Sequence, residues 1–193
     1  MNKLMIASLF SLAIPALPAL ADGDDNGPAA ACPTNLPAAL APAADQRLRF
    51  YRPATGAQVY MCTASASGVA GWVFVAPQAN LYNDDNDLVG THFIGPVWQG
   101  NDGSSVKAAK VAAATVDVTA VPWLLLKSVG NTGPGHFAEI STVQRLNTTG
   151  GKAPDASLCT LATLNTIKQV AYTADYFFYD THAAGPDGNA QCR

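Results

Sequence analysis

The sequence is poor in charged residues, and glutamate is almost missing from it. Only 13% of the 193 residues are charged, and Glu139 is the single glutamate among the 14 acidic residues. Ordinary globular chains carry about 25% charged residues. The net charge of −3 argues against a protein that binds nucleic acid non-specifically, because such binding needs a basic surface. The shortage of charged helix formers, with many Gly, Pro, Asn, Asp and Thr residues, favours strands and turns.

Motifs for several common chemistries are also missing. The sequence has no HExxH, no GxSxG and no CxxC, so zinc peptidases, α/β-hydrolases, zinc ribbons and thioredoxin-like proteins have no support. Residues 133–138 (GPGHFA) fit G-x-G-x-x-A, but a strand-like run follows them and no βαβ alternation surrounds them. The Asp-rich stretches 22–27 and 83–87 lack essential positions of a calcium loop. We therefore predict no cofactor and no metal, and reject an NAD-dependent dehydrogenase.

One long apolar run is present, at the N-terminus. Lys3 precedes an apolar stretch over residues 4–20, and residues 19–21 (ALA) match a small-x-small cleavage site. Two prolines interrupt the stretch, which falls short of the ~20 apolar residues of a membrane span. We expect a signal peptide over 1–21, and a soluble product that is exported to the periplasm or the extracellular space with no membrane span in the mature chain.

The rest of the chain is predicted to form one domain with a loose leader. Residues 22–45 are rich in Ala, Pro, Gly and Asp without a sustained period, as is typical of a flexible leader. Residues 46–193 have the length of a single β domain.

Four cysteines follow the signal peptide. An even number in an oxidising compartment implies disulfides, and four cysteines allow three pairings. We prefer a bond between Cys32 and Cys192, which joins two chain ends that often lie close together. The other bond would then join Cys62 to Cys159 and close a loop of ~100 residues.

Short apolar runs separated by turn residues predict β-strands along most of the chain. Runs at 48–52 and 58–62 flank residues 53–56 (PATG) and indicate a hairpin. Residues 123–126 (WLLL) are apolar on both strand faces, as in a central buried strand. Residues 156–167 have leucines at three-residue spacing and predict a short helix or a loop. The fold class is all-β, a single-domain antiparallel β-sandwich or partly closed barrel with at most one short helix.

The last predicted strand is rich in aromatic side chains. Period-two alternation places one set on one face and a second set on the other. The first set is Tyr172, Tyr176 and Phe178, and the second is Phe177 and Tyr179. Such a run is more typical of core packing than of a binding platform.

Several strings are distinctive when they are taken together. They are 56–62 (GAQVYMC), 90–98 (GTHFIGPVW), 121–126 (VPWLLL), 144–148 (QRLNT) and 172–176 (YTADY). Together they resemble a family of bacterial and fungal proteins catalogued only as a domain of unknown function, over about residues 46–179. Some fungal members carry the label malate dehydrogenase. The family's pattern includes cysteines that match Cys62 and Cys159, which supports their pairing, and it offers no catalytic residues to carry over.

Three residues are candidates for a binding site: His92, Trp98 and Arg145. His92 and Trp98 lie on either side of the rigid Gly95-Pro96 corner, although for each of the three a role in packing or structural hydrogen bonding is more common than one in ligand binding. No catalytic residue can be assigned. Because no catalytic constellation is complete, the sequence favours a non-catalytic exported domain that binds a small molecule, glycan or protein. The alternative is an extracytoplasmic hydrolase or other enzyme that uses His92 with Asp partners.

Overall fold

A computed structural model describes residues 31–181 and Cys192, and these residues form β-strands and turns. The strands are β1 (Arg47–Ala64), β2 (Ala70–Tyr82), β3 (Leu88–Phe93), β4 (Val97–Gly100), β5 (Ser105–Ala114), β6 (Trp123–Thr132), β7 (Thr142–Gly150) and β8 (Ile167–Asp180). Helix in this part is limited to the three-residue 3₁₀ turns Ala38–Leu40, Ala156–Leu158 and Leu161–Thr163. The predicted all-β class is confirmed. The predicted signal peptide, 1–21, lies outside the described residues.

Each strand pairs antiparallel with the next strand in the chain, and β1 also pairs with β8. The eight strands therefore form one antiparallel sheet that closes into a ring. Short connections between sequential neighbours favour this order. No described helix is long and apolar enough to cross a membrane.

The two faces of the sheet bury different apolar clusters. The inner cluster fills the ring and includes Tyr172, Tyr176 and Phe178 of β8. The outer cluster includes Phe177 and Tyr179 of the same strand. The predicted division of these five aromatic side chains between two faces is confirmed. It follows from the period of two that an extended backbone imposes.

The predicted hairpin within residues 48–62 is wrong, because β1 runs without a break through residues 53–56. Pairing of β1 with β2 begins at Ala54, so Pro53 faces no residue of β2. The N–H that proline lacks is therefore not needed for a hydrogen bond on that side of β1. Gly56 lies where β1 and β2 approach closely, and a Cβ there would lie 2.0 Å from the carbonyl oxygen of Gln78. These Pro and Gly residues fit a long strand and do not form a turn.

Part of the Ala/Pro-rich segment packs against the outside of the ring. Leu40 is fully buried in the outer cluster. Its carbonyl accepts a hydrogen bond of 2.7 Å from Nε2 of Gln144 on β7. Gln46, the first residue after the segment, accepts another of 2.7 Å from the Ser141 hydroxyl. The described end of this segment is therefore held by both apolar and polar contacts.

Both predicted disulfides are confirmed. Cys32 is joined to Cys192, and Cys62 to Cys159. The first bond ties residue 32 to the C-terminal end, while the second ties β1 to the connection between β7 and β8. Two intramolecular disulfides are compatible with an exported protein.

The ring has an opening on one side, because β3 and β4 are short. β2 pairs with β3 only over residues 79–82 and 88–92, although β2 begins at residue 70. β5 pairs with β4 only over residues 105–107, although it extends to residue 114. The start of β2 and the end of β5 are thus left without a strand between them. This opening lies next to the β3–β4 turn. The residues around it include members of the inner cluster, so it reaches the inside of the ring.

Candidate functional site

A cavity of about 200 Å³ lies at this opening, and we call it the side cavity. Its walls are Phe74, Val75 and Pro77 of β2, Gly95 and Pro96 of the β3–β4 turn, Lys110 of β5, and His92, Trp98, Leu124, Leu126, Arg145 and Tyr176. The structure therefore brings the three candidate residues of the sequence analysis into one cavity. It adds Tyr176 and Lys110, which sequence reasoning did not place in a site.

His92 is a buried, neutral histidine, with an exposed fraction of 3%. Its ring stacks on Trp98 at 4.3 Å between centroids, and its Nδ1 lies 2.8 Å from the Val97 carbonyl oxygen. Burial lowers the pKa of His92 to about 3. The hydrogen bond to Val97 opposes this shift, and the Arg145 charge adds to it. Since a carbonyl only accepts, Nδ1 carries the proton and Nε2 remains an acceptor.

Trp98 has an unpaired donor. It is 1% exposed, and its indole Nε1 is one of two buried side-chain polar atoms without a partner in the described part of the chain, the other being Nε2 of Gln58. Leaving a buried donor unpaired costs about 1–3 kcal/mol. Because the atom itself is buried, this donor is enclosed by the packing around Trp98 and is not open to the side cavity.

Arg145 brings a positive charge into the interior. Its Nε and Nη2 donate hydrogen bonds of 3.2 and 2.8 Å to the Pro122 carbonyl oxygen, which fixes the guanidinium group. Its charge acts on the pKa of Tyr176, which burial raises and Arg145 lowers in part. Arg145 therefore lies beside buried hydroxyl groups at the inner end of the side cavity.

The side cavity is positively charged. Two cationic side chains, Arg145 and Lys110, line it, and none of its lining residues is acidic. Among the described residues, neither cation forms an ion pair. The alternation of side chains along β7 could have placed Arg145 inside the ring. Val143 lies two residues earlier on the same face of the strand, and its apolar side chain indicates that this face points inward. Lys110 could not be placed from sequence, because the strand around it is mostly alanine.

A second cleft holds the histidine that does have an aspartate partner. His136 Nδ1 lies 2.8 Å from Oδ2 of Asp102, in a cleft that Arg52 and Phe137 also line. His92 has no acidic partner among the described residues, since its Nδ1 hydrogen bond goes to Val97. The enzyme hypothesis requires Asp partners for His92. In the structure, the histidine that bonds an aspartate is His136.

Asp102 links two turns that are distant in sequence. It accepts hydrogen bonds from the backbone and side chain of both Ser104 and His136. Desolvation opposes ionisation, but these hydrogen bonds outweigh it and lower the pKa of Asp102 well below its usual range. Gly135 has φ +128°, and a Cβ there would lie 2.3 Å from Asp102. The glycines of 133–138 thus serve a turn, and no helix follows them.

We expect Asp102→Asn to lower the free energy of unfolding by about 1–3 kcal/mol near neutral pH, because the amide would present a donor to groups that are donors themselves. The lowered pKa means that Asp102 stabilises the fold above pH ~4, and that this contribution is lost as the pH falls further. Urea unfolding at pH 7 and pH 3 measures both effects. The exposed Asp85→Asn is the control and should leave both values unchanged. Equal stability of Asp102→Asn and the parent at pH 7 would contradict this role.

No group of three His, Cys, Asp or Glu side chains that could hold a metal ion occurs in residues 31–181 or at Cys192. Comparison with curated proteins and with solved structures gives no significant match. A family model does match residues 42–180, which is most of the chain. The chain belongs to the family described as "Protein of unknown function (DUF3455)".

Proposed function

We propose that the protein is an exported, non-catalytic domain that binds a small organic molecule in the side cavity. The observation that carries this proposal is the composition of the cavity. Apolar and aromatic walls surround a few polar atoms, and the cavity opens to solvent between two strands. Binding sites for small molecules typically have this character.

The size of the cavity favours a small ligand over a glycan or a protein. A cavity of 150 Å³ in another protein holds a benzene molecule, and the side cavity has about 200 Å³. One ring or a short chain of similar volume would therefore fit. An extended glycan or a protein segment would have to remain mostly outside.

Catalysis by His92 has less support. A general base works best when its pKa is near the operating pH, and burial lowers the pKa of His92 to about 3. No acidic side chain lines the cavity to orient the ring. We therefore assign His92 the role of a rigid wall that offers one acceptor, Nε2.

The proposal can be tested with three probes of similar shape: benzoate, benzyl alcohol and benzylamine. In a ¹⁵N-labelled protein, the indole N–H signal of Trp98 should shift with at least one probe, while those of Trp72 and Trp123 should not. Val75→Phe narrows the mouth of the cavity at a position that is 40% exposed. It should weaken binding at least about tenfold, which equals ~1.4 kcal/mol.

Val129→Phe is the matched control, because Val129 is 61% exposed and is not among the cavity-lining residues. It should bind the probes as the parent does. The proposal fails if no probe shifts the Trp98 signal, or if the two phenylalanine variants weaken binding equally.

A further inference from the structure

Resting on the proposed function, we infer that the ligand of the side cavity is a small carboxylate with an apolar or aromatic body. Arg145 would bind the carboxylate inside, and Lys110 would attract it at the mouth. The inference concerns the charge of the ligand, which the presence of a cavity alone does not determine.

Arg145 has N–H donors that its partners within the protein do not use. A guanidinium group has five N–H donors in a fixed planar arrangement. The Pro122 carbonyl takes one from Nε and one from Nη2. Nη1 and the second N–H of Nη2 account for the other three donors, and one of these three bonds the Tyr176 side chain. The two donors that are left equal the number that the two oxygens of a carboxylate can accept from. Pro122 thus holds the group in place without using up its capacity to bind.

Among the described residues, no acidic side chain forms an ion pair with Arg145. Arg145 is partly buried, and a counter-charge recovers part of the cost of removing a charged group from water. The groups on which the charge of Arg145 acts include the hydroxyls of Tyr60, Tyr172 and Tyr176, and burial raises the pKa of each. These hydroxyls stay protonated and cannot neutralise it. An anionic ligand supplies the missing negative charge.

The charge of the side cavity disfavours ligands that are not anionic. A cationic ligand would meet Arg145 and Lys110 with no acidic side chain among the lining residues. A neutral ligand would leave the guanidinium donors without a strong acceptor. The walls formed by Phe74, Leu124 and Leu126 then select an apolar body for the same molecule.

The same three probes test this inference, because they differ mainly in charge. Benzoate should bind the parent about 10- to 100-fold more tightly than benzyl alcohol, as is typical of a hydrogen bond to a charged group. Benzylamine should bind more weakly than both. Arg145→Gln should remove the preference for benzoate over benzyl alcohol, and Arg145→Lys should restore part of that preference.

Lys110→Gln provides a variant at an exposed position, with the exposed Lys127→Gln as its control. Lys110→Gln should weaken benzoate binding a few-fold, and Lys127→Gln should not. This comparison tests the inference even if Arg145→Gln does not fold. Equal binding of benzoate and benzyl alcohol by the parent would overturn the carboxylate inference while leaving the proposed function intact. Absence of binding by all three probes would overturn both.

Discussion

Breaking the bond between Cys62 and Cys159 is expected to lower the free energy of unfolding by about 3–5 kcal/mol. The two residues are 97 positions apart, and in the chain-entropy model a loop of about 100 residues contributes up to ~4.7 kcal/mol. The bond also reinforces local structure, because the Cys62 N–H donates to the Thr166 carbonyl and the Asn165 N–H donates to the Cys62 carbonyl. Its loss therefore affects both the unfolded chain and the connection before β8.

The effect is measured best in a Cys32→Ala, Cys192→Ala background, where reduction breaks only this one bond. Reduction adds one hydrogen to each sulfur and removes no packed atom. Urea unfolding with and without reductant gives the difference directly. A Cys62→Ala, Cys159→Ala variant that keeps the other bond should lose a similar amount. If reduced and oxidised protein unfold within about 0.5 kcal/mol of each other, the entropic account of this bond is wrong.

Acid is expected to destabilise the protein through His92 well before it protonates the carboxylates. The pKa of buried His92 is about 3 in the folded state, against ~6.5 for a histidine in an unfolded chain. As the pH falls, the unfolded chain binds this proton first. The stability that neutral His92 provides is therefore complete above pH ~6.5 and is lost towards pH 3. Between pH 7.5 and pH 5 the loss is about 2 kcal/mol.

His92→Phe separates this effect from other titrations. It keeps an aromatic ring against Trp98, loses the hydrogen bond to Val97 at every pH, and cannot bind the proton. We expect the variant to be less stable than the parent at pH 7.5, and its stability to fall much less between pH 7.5 and pH 5. Tyr176 packs against the same ring and stays protonated in this range, since burial raises its pKa. Equal slopes for variant and parent would show that His92 is not a buried neutral group.

The β-strand character of this chain could be predicted from sequence because it depends on local pattern. Alternation in β8 assigns each aromatic side chain to a face without knowledge of its neighbours. The hairpin prediction failed because Pro53 and Gly56 break strands in most contexts. Here they lie where pairing with β2 begins and where two backbones meet. That context exists only once β1 and β2 have paired.

Part of the site could also be predicted from sequence, because that part too depends on local pattern. His92 and Trp98 are register partners on β3 and β4, so a hairpin around Gly95-Pro96 is enough to bring them together. Arg145 reaches them only through closure of the ring, which no local pattern specifies. The pair Asp102–His136 joins two turns 34 residues apart, and turn composition does not reveal which turns meet.

We expect the side cavity to hold a small ligand by the carboxylate of that ligand. A crystal structure of the protein soaked with benzoate tests it most directly. The account predicts benzoate in the cavity, with its carboxylate oxygens about 2.7–2.9 Å from the Arg145 nitrogens and its ring between Leu124, Leu126 and Tyr176. Benzoate bound elsewhere, or bound in the cavity with its carboxylate turned away from Arg145, would contradict the account.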